Sequence, residues 1–445
     1  REQYFRDYIY NTPHEMMNIE IRNMLNVYYP THIRITFDFP SVDLIRIFRP
    51  YYYLYMVSQY HIGGLEKIKL ASDYLIDKLY DFYMYNPYFG RVNYIMNKTN
   101  FDKTKIYENL SYTIEPDNYS ARIPWVVQQQ IAATNGIHYI DRIGKLNEYP
   151  NFNLPIKKVN NGIMLDIGNG WGRWLVSGFN KGYIPIGIDI RLEFCKTAIN
   201  TLHANNCLGY SLVADLKNLP FKDNIFDFVW SFSVIQHTHK SRMISCLKHI
   251  NRILKSTGFS KLEFPNKNGV YNNINNVKNE MKFANDINAW NVRYYTISEY
   301  RGIFQSIFKN FSFKNHSFLG IGVLKEDLYY VSNKNKIIVL VSLFFSFLTS
   351  FIPFLKFLSD SIYIKIFKNN INSNFIINNN AIKLFLDSHK NNPKENLNLI
   401  HLLQCPISNE DLKLSEDKSY LMSIKSNIKY PIIDGIPILI ETESF

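Results

Sequence analysis

The stretch Met164–Arg173, MLDIGNGWGR, constrains this chain more than any other. It continues the apolar run Ile163–Ile167, which reads as a strand. It then sets Gly168, Gly170 and Gly172 at alternate positions, where a strand would turn into a helix. Glycines in such a turn adopt backbone dihedrals that a side chain forbids, and they let the main chain approach a ligand closely. The helix that follows presents its first amides to that ligand. The sequence therefore predicts a strand–turn–helix unit with a small-molecule site at its top.

The region around the turn repeats the same alternation. Strands are expected at Ile163–Ile167, Ile184–Ile190, Tyr210–Ala214, Phe226–Phe232 and Phe259–Phe264, with helices over Arg191–Asn205 and Ser241–Lys255. Gly258 is read as the stop signal of the second helix. Strands alternating with helices predict an α/β fold whose mostly parallel sheet is covered on both faces. Two cofactor classes use such a turn. A dinucleotide fingerprint, G-x-G-x-x-G, requires its third glycine where Arg173 stands, so that fingerprint fails.

Asp166, two residues before the first glycine of a G-x-G-x-G turn, instead resembles motif I of the class I S-adenosylmethionine (SAM)-dependent methyltransferases, in their small-molecule branch. Other segments extend the resemblance over about Arg122–Val331. Asp189 ends the second strand, where an acid can accept from both ribose hydroxyls. Asp215 ends the third, within VADLKNLPF, where the resemblance implies an acid that receives the adenine amino group. FDFVWSFSVIQH, INRILKSTG, KLEFP and YYTISEY resemble the later strands and turns. The resemblance implies a Rossmann-like class I methyltransferase fold with SAM as cofactor. The implied cofactor-binding residues are Asp166, Gly168, Asn169, Gly170, Trp171, Gly172, Asp189, Ile190, Asp215, Leu216 and Ser231. Asn169 is expected to contribute mainly backbone. Trp171 is either a packing residue or a ring near the sulfonium, where cation–π attraction would favour it. His237 is the candidate catalytic base or orienter at the acceptor pocket, its other reading being a packed or solvated histidine. No metal is expected.

Leu397–Ile440, with LLQCP before YPIIDGIPILI, predicts short strands around tight turns, Asp434-Gly435 being one. It resembles the small zinc-ribbon-like activator subunits of RNA and protein methyltransferases and their short bacterial relatives. Only Cys405 remains of the metal ligands, and Ser408 stands where a CxxC partner would be, so no zinc is expected. The resemblance implies an intramolecular contact between this module and the methyltransferase domain, which fusion on one chain would favour.

The 445 residues suffice for two to four domains. The expected divisions are a helical N-terminal region at 1–120, the methyltransferase domain at 121–331, an apolar helical segment with an Asn-rich linker at 332–392, and a small C-terminal β-rich module at 393–445. Leu65–Tyr83 and Arg122–Ile143 carry helical periodicity. Hydrophobic residues at 46% exclude a disordered or collagenous chain. The net charge of +12 points to nucleic acid or an anionic membrane surface. No run of five or six basic residues occurs, so nucleic acid is not the favoured partner, and the Asn-, Lys- and Ile-rich composition of an AT-rich genome accounts for the charge more simply. Four cysteines in so long a chain do not build a disulfide framework, and a cytoplasmic, reducing location is expected. The first residue is Arg1, which reads as a fragment or processed form.

Ile337–Leu355 is uncharged and flanked by Lys334, Lys336 and Lys356. It is expected to form a buried or membrane-surface helix pair, a single span being the alternative. The chain thus reads as a SAM-dependent methyltransferase whose acceptor is a small molecule, glycan or lipid-linked intermediate. An RNA or protein acceptor, and a catalytically silent scaffold, are the alternatives.

Overall fold

The computed structural model describes residues 122–124, 127–128, 130–131, 139, 142, 145–275, 292–368 and 378–440. Residues 1–120, expected above to be helical, and most of Arg122–Ile143 lie outside the described residues. Contacts divide the chain into two units, and the second, Gln130–Arg142 with Leu146–Ser444, carries the architecture below. In the first, Ile123 and Val127 are buried, and the Gln128 side chain donates to the Ile123 carbonyl at 3.2 Å.

The expected strand–turn–helix is present. β1 (Gly162–Ile167) is buried at every residue, as a strand covered on both faces must be. It leads through the glycine turn into α1 (Arg173–Asn180). β2 (Tyr183–Asp189), α2 (Leu192–Ala204), β3 (Tyr210–Ala214), β4 (Phe226–Ser231), α3 (Lys240–Ile253) and β5 (Leu254–Pro265) follow. α3 stops at Ile253, five residues before Gly258, and its chain passes straight into β5. Gly258 is therefore no helix stop. It lies where β5 bulges away from β4, between the pairs Phe226↔Leu254 and Phe228↔Phe259.

After α4 (Ile297–Gln305) the chain forms β6 (Asn310–Ser317), α5 (Asn333–Leu348) and β7 (Ser361–Phe367). α4 opens on a capping box, the Thr296 hydroxyl accepting from Glu299 N–H and the Glu299 carboxylate from Thr296 N–H. α6 (Asn379–Asn391) leads into the module strands β8 (Leu412–Leu414), β9 (Tyr420–Ser423), β10 (Lys429–Ile433) and β11 (Ile436–Leu439). All eleven strands form one sheet in the order β6-β7-β5-β4-β1-β2-β3-β11-β10-β9-β8. The centre is parallel, but β7 is antiparallel to β5 and β6, and β8 to β11 pair antiparallel. The sheet is mixed rather than mostly parallel. β7 also corrects the expectation of helix and linker across 332–392. The linker Asn369–Asn380 lies mostly outside the described residues, and its end opens α6.

The largest cluster of buried side chains fills one side of the sheet, where Leu165, Val229, Leu262, Phe264, Tyr300 and Phe304 meet. It runs without a break into Leu402, Leu403, Leu421 and Tyr430 of the module. The module is joined by backbone as well. β11 lies parallel to β3, pairing Ile438 with Val213 and Leu439 with Ala214. Where that ladder stops, the Asn396 side chain takes its place. Its Oδ1 accepts from Ser211 N–H at 3.0 Å, and its amide donates to the Ser211 carbonyl at 2.8 Å and the Gly435 carbonyl at 3.1 Å. An open strand edge invites unwanted pairing, and β11 with Asn396 covers this one.

Cys405 and Ser408 lie at the turn before β8, and Ser423 and Ser426 at the turn between β9 and β10, the two knuckles of the module. The Cys405 thiol lies 3.1 Å from the Tyr430 hydroxyl and accepts from Ser408 N–H at 3.3 Å. The Glu410 carboxylate accepts from the Ser423 hydroxyl and from the backbone N–H groups of Lys425 and Ser426. Hydrogen bonds thus close the knuckles. All four cysteines are free thiols and buried.

The uncharged stretch Ile337–Leu355 does not form one continuous helix. α5 ends at Leu348, and Pro353–Leu358 is a short 3-10 helix. At about 1.5 Å per residue α5 reaches roughly 24 Å, short of a hydrocarbon core of about 30 Å. Among the described residues no helix is long and apolar enough to cross a membrane.

Candidate active site

The strand order reverses direction between β1 and β4, and in open α/β sheets ligands bind beyond the strand ends at such a reversal. The glycine turn lies there. Gly168 and Asn169 N–H both donate to the Ile188 carbonyl, at 2.8 and 3.0 Å, which pins the turn to the end of β2. Gly168, Gly170 and Gly172 have φ of 76°, 49° and 94°, in the left-handed region that glycine tolerates. A Cβ on Gly172 would come within 2.9 Å of the Ala198 backbone, so this glycine lets α1 pack on α2. A Cβ on Gly170 would meet nothing within 4 Å. The turn is closed on the α2 side at Gly172 and open at Gly170.

Asp166 is fully buried, and among the described residues neither carboxylate oxygen has a hydrogen-bond partner. Desolvation pushes its carboxyl up to about 8, against the Arg173 charge and with that of Asp189. An orphaned buried carboxylate beside an open glycine turn is a site built for a ligand that donates hydrogen bonds or carries positive charge. Asp189 ends β2, its carboxylate accepting from Gly170 N–H at 3.2 Å and Arg191 N–H at 3.1 Å. Burial pushes its carboxyl up, and those N–H groups oppose the shift. Asp215 follows β3 and accepts from Lys217 N–H at 2.9 Å. Ile190 is exposed, and Leu216 is buried beside Asp215.

Asn169 has a side-chain role that the sequence reading did not assign. It is buried, lies 3.1 Å from the Ser211 hydroxyl on β3, and donates to the Gly170 carbonyl at 2.8 Å. Trp171 is buried and stacks on Tyr149, with Phe152 at its edge. Ser231 donates to the Ile167 carbonyl at 3.2 Å, tying β4 to β1. His237 closes the 3-10 turn Ile235–His237 after β4, half-buried, and its carbonyl accepts from Arg293 at 2.9 Å. The turn residues and the three acids thus collect at one end of β1–β3, with Ser231 and His237 at and just beyond the end of β4.

Sequence reasoning missed a second set of groups at this end. Arg173, the first residue of α1, is buried, with its guanidinium carbon 5.0–5.3 Å from the ring centres of Phe152, Trp174 and Phe232. Its charge lowers Asp166, Glu263 and Asp327. The Tyr139 hydroxyl donates to Asp327, whose carboxyl burial pushes up to about 6. Glu263, near the end of β5, is 1% exposed. An acid set between Leu262 and Phe264 at the buried end of the strand was the signal available for it. Among the described residues no group of His, Cys, Asp and Glu could hold a metal.

The parallel centre, the antiparallel β7 inserted between β5 and β6, and an acid-and-glycine turn at the reversal define a class I methyltransferase fold. Residues 165–260 match the family model described as a methyltransferase domain. Residues 165–260 are thus a methyltransferase domain. Its fold is similar to a Pyrococcus horikoshii OT3 protein, 24% identical over 24% of this chain and 50% of that one, with a TM-score of 0.23. A complex between the Haloferax volcanii Trm112 methyltransferase activator and a putative methyltransferase matches at 18% identity, over 49% of this chain and 87% of that chain, with a TM-score of 0.34. Over 48 residues the chain is 48% identical to a UPF0434 protein of Ectopseudomonas mendocina (strain ymp), covering 11% of this chain and 79% of that protein. Through this small module the chain belongs to the UPF0434 family.

Proposed function

We propose that this methyltransferase modifies a small acceptor presented at a membrane surface, a lipid-linked intermediate or glycan. The observation that carries this reading is the arm 318–360 between β6 and β7. Ser361 pairs with Pro265 at the end of β5, so the arm rises from the edge where the acceptor would enter. Its helix α5 is turned inside out. Ser342 accepts from Phe318 N–H at 3.0 Å, while Ser346 and Thr349 donate to the His316 carbonyl and the Asn315 side chain. Those residues, spaced four and three apart, put the polar stripe against the protein.

The opposite stripe, Ile337, Leu340, Phe344, Phe347 and Phe351, is 54–68% exposed. Phe354 and Phe357 continue it. From Leu328 to Ser359 the only charged residues are Lys334, Lys336 and Lys356, so every charge beside the apolar stripe suits an anionic surface. Apolar insertion with basic flanks is how helices lie in a bilayer interface rather than cross it.

In the cofactor site, Asp166 and the turn Gly168, Asn169, Gly170, Trp171 and Gly172 would hold the amino-acid part of SAM. Asp189 with Ile190 would hold the ribose, and Asp215 with Leu216 the adenine, with Ser231 bracing β4. The cofactor supplies an activated methyl group when bound. The chain's own task is then to orient the acceptor, exclude water and take up a proton. His237 stands as a candidate for the last task. The C-terminal module acts as a built-in stabiliser of the β3 edge, which carries Asp215.

Co-sedimentation with phosphatidylglycerol vesicles tests the membrane reading. The protein should pellet at low salt, weaken as salt rises, and lose most binding in Phe344→Ser/Phe347→Ser. A folded protein that stays in the supernatant with anionic vesicles at low salt would sink it.

A further inference from the structure

We infer that Glu263 is the acceptor-side carboxylate of this site and that the group it receives is an amine, a refinement that rests on the small-molecule reading above. The sheet register makes the placement. Asp166 pairs with Trp230, Trp230 with Lys261, and Glu263, two residues further along β5, pairs with Tyr363. Side chains two apart on a strand share a face, so Asp166, Trp230, Glu263 and Tyr363 look out from the same side of the sheet. α1 covers that side, with Trp174 edge-on to Trp230 at 5.1 Å. Glu263 thus stands across β4 from the carboxylate of the cofactor turn.

Its surroundings are built to hold it. The Ser233 hydroxyl donates to Glu263 Oε2 at 2.7 Å, and Ser361 bonds it as well. Ser233 has φ of 57°, a left-handed conformation that costs a non-glycine residue roughly 1 kcal/mol or more and is retained where the surroundings demand it. The other oxygen, Oε1, is buried and has no hydrogen-bond partner among the described residues. The walls are aromatic: Tyr363 packs against Trp230, Phe232 and His316 at 4.2–6.5 Å.

Two chemical arguments select an amine. The first is charge. The carboxyls of Asp166, Asp327 and Glu263 face the Arg173 guanidinium, with the Lys261 ammonium over the Tyr363 ring at 4.0 Å, so a bound cation would draw the raised carboxyls of Asp166 and Glu263 into their charged forms. The second is proton affinity. Burial pushes the Glu263 carboxyl up to about 7. An alkylammonium near 10.4 is within reach of such a base, whereas a hydroxyl near water's 15.7 is not. The step balances. Glu263 takes one proton from the bound ammonium. The freed nitrogen lone pair then forms the N–C bond as the S–C bond breaks and its electron pair returns to sulfur. The proton leaves Glu263 for solvent when the product departs.

On this assignment Glu263 rather than His237 takes the proton, and His316, Lys261 and the two nearby tyrosines do not compete. Burial holds His316 neutral, its pKa down at about 3, and lowers Lys261 to about 8, with Lys314 and Lys365 adding to that fall. Tyr139 and Tyr363 are both pushed well above their usual range.

Calorimetric titration of the full chain with 2-phenylethylamine and its hydroxyl isostere, 2-phenylethanol, tests the assignment without turnover. The amine should bind at least tenfold tighter than the alcohol, and its affinity should fall about tenfold per pH unit below about 7 as Glu263 protonates. Glu263→Gln should abolish the preference while leaving SAM affinity unchanged. Equal binding of the two isosteres by the wild type, or an unchanged preference in the variant, overturns the proposal. The wild-type pH dependence decides the matter even if the variant does not fold. If the wild type binds SAM and neither isostere, the amine assignment fails and the methyltransferase stands. If radiolabelled methyl passes from SAM only to a macromolecule, the small-acceptor reading fails instead.

Discussion

Asn396→Ala removes the side chain that completes the join between β3 and β11. Three hydrogen bonds disappear, and their two partners on Ser211 lie on a fully buried residue between strands. Leaving a buried backbone donor or acceptor unpaired costs about 1–3 kcal/mol each. The two Ser211 groups together therefore cost roughly 2–6 kcal/mol. Asn396→Asp should be no milder: it keeps an acceptor for Ser211 N–H but turns a carboxylate oxygen on the Ser211 and Gly435 carbonyls. Urea unfolding measures the loss, and amide exchange at Ser211 locates it, protection falling there before it falls in β1. A loss under about 1 kcal/mol with unchanged Ser211 exchange would refute the view that this side chain substitutes for a strand.

Two further outcomes follow from the site. Gly172→Ala should destabilise the protein by about 1–3 kcal/mol, because it adds left-handed strain and a contact with the Ala198 backbone. Gly170→Ala meets no atoms, should cost about 1 kcal/mol, and should weaken SAM binding with little loss of fold, as thermal melts with and without SAM would show. Between about pH 6.5 and 8 the stability of the cofactor-free protein should fall as pH rises. Asp166 and Glu263 keep their protons to about 8 and about 7 in the fold but lose them near 4 when unfolded, so the native state binds more protons across that window. Denaturation midpoints at three pH values check the sign, and Asp166→Asn with Glu263→Gln should flatten the slope.

Much of the central fold was legible because its signals are local. β1 to β4 are buried runs bounded by turns, and their ends fall within a residue or two of the expected ones. The glycine turn announced itself by spacing alone. β7 was not legible, since SIYIKIF follows an apolar stretch and gains its identity from β5 and β6, about 100 and 50 residues earlier. The end of α3 was misplaced because Gly258 looks like a helix stop, while the chain's pairing with β4 already begins at Leu254. Glu263 carried no motif, and only the register across three strands sets it opposite Asp166. The module read as a separate unit for a similar reason. Its strand partner β3 lies more than 200 residues upstream, and no local pattern encodes that pairing.

The arm bearing α5 hangs from two points that the sheet already holds together. Ser317 and Ser361 face each other in register, with their hydroxyls 2.7 Å apart. Because closing a longer loop between fixed ends costs only about 0.6 kcal/mol per doubling of its length, the stretch between those serines is a graft on a finished scaffold. Exchanging α5 alone, with Asp327 kept in place near Arg173, would change the exposed apolar face while the charges around Arg173 stay as they are. On the proposed membrane reading, the face that meets the bilayer and the turn that would hold the cofactor are carried by different segments of one chain.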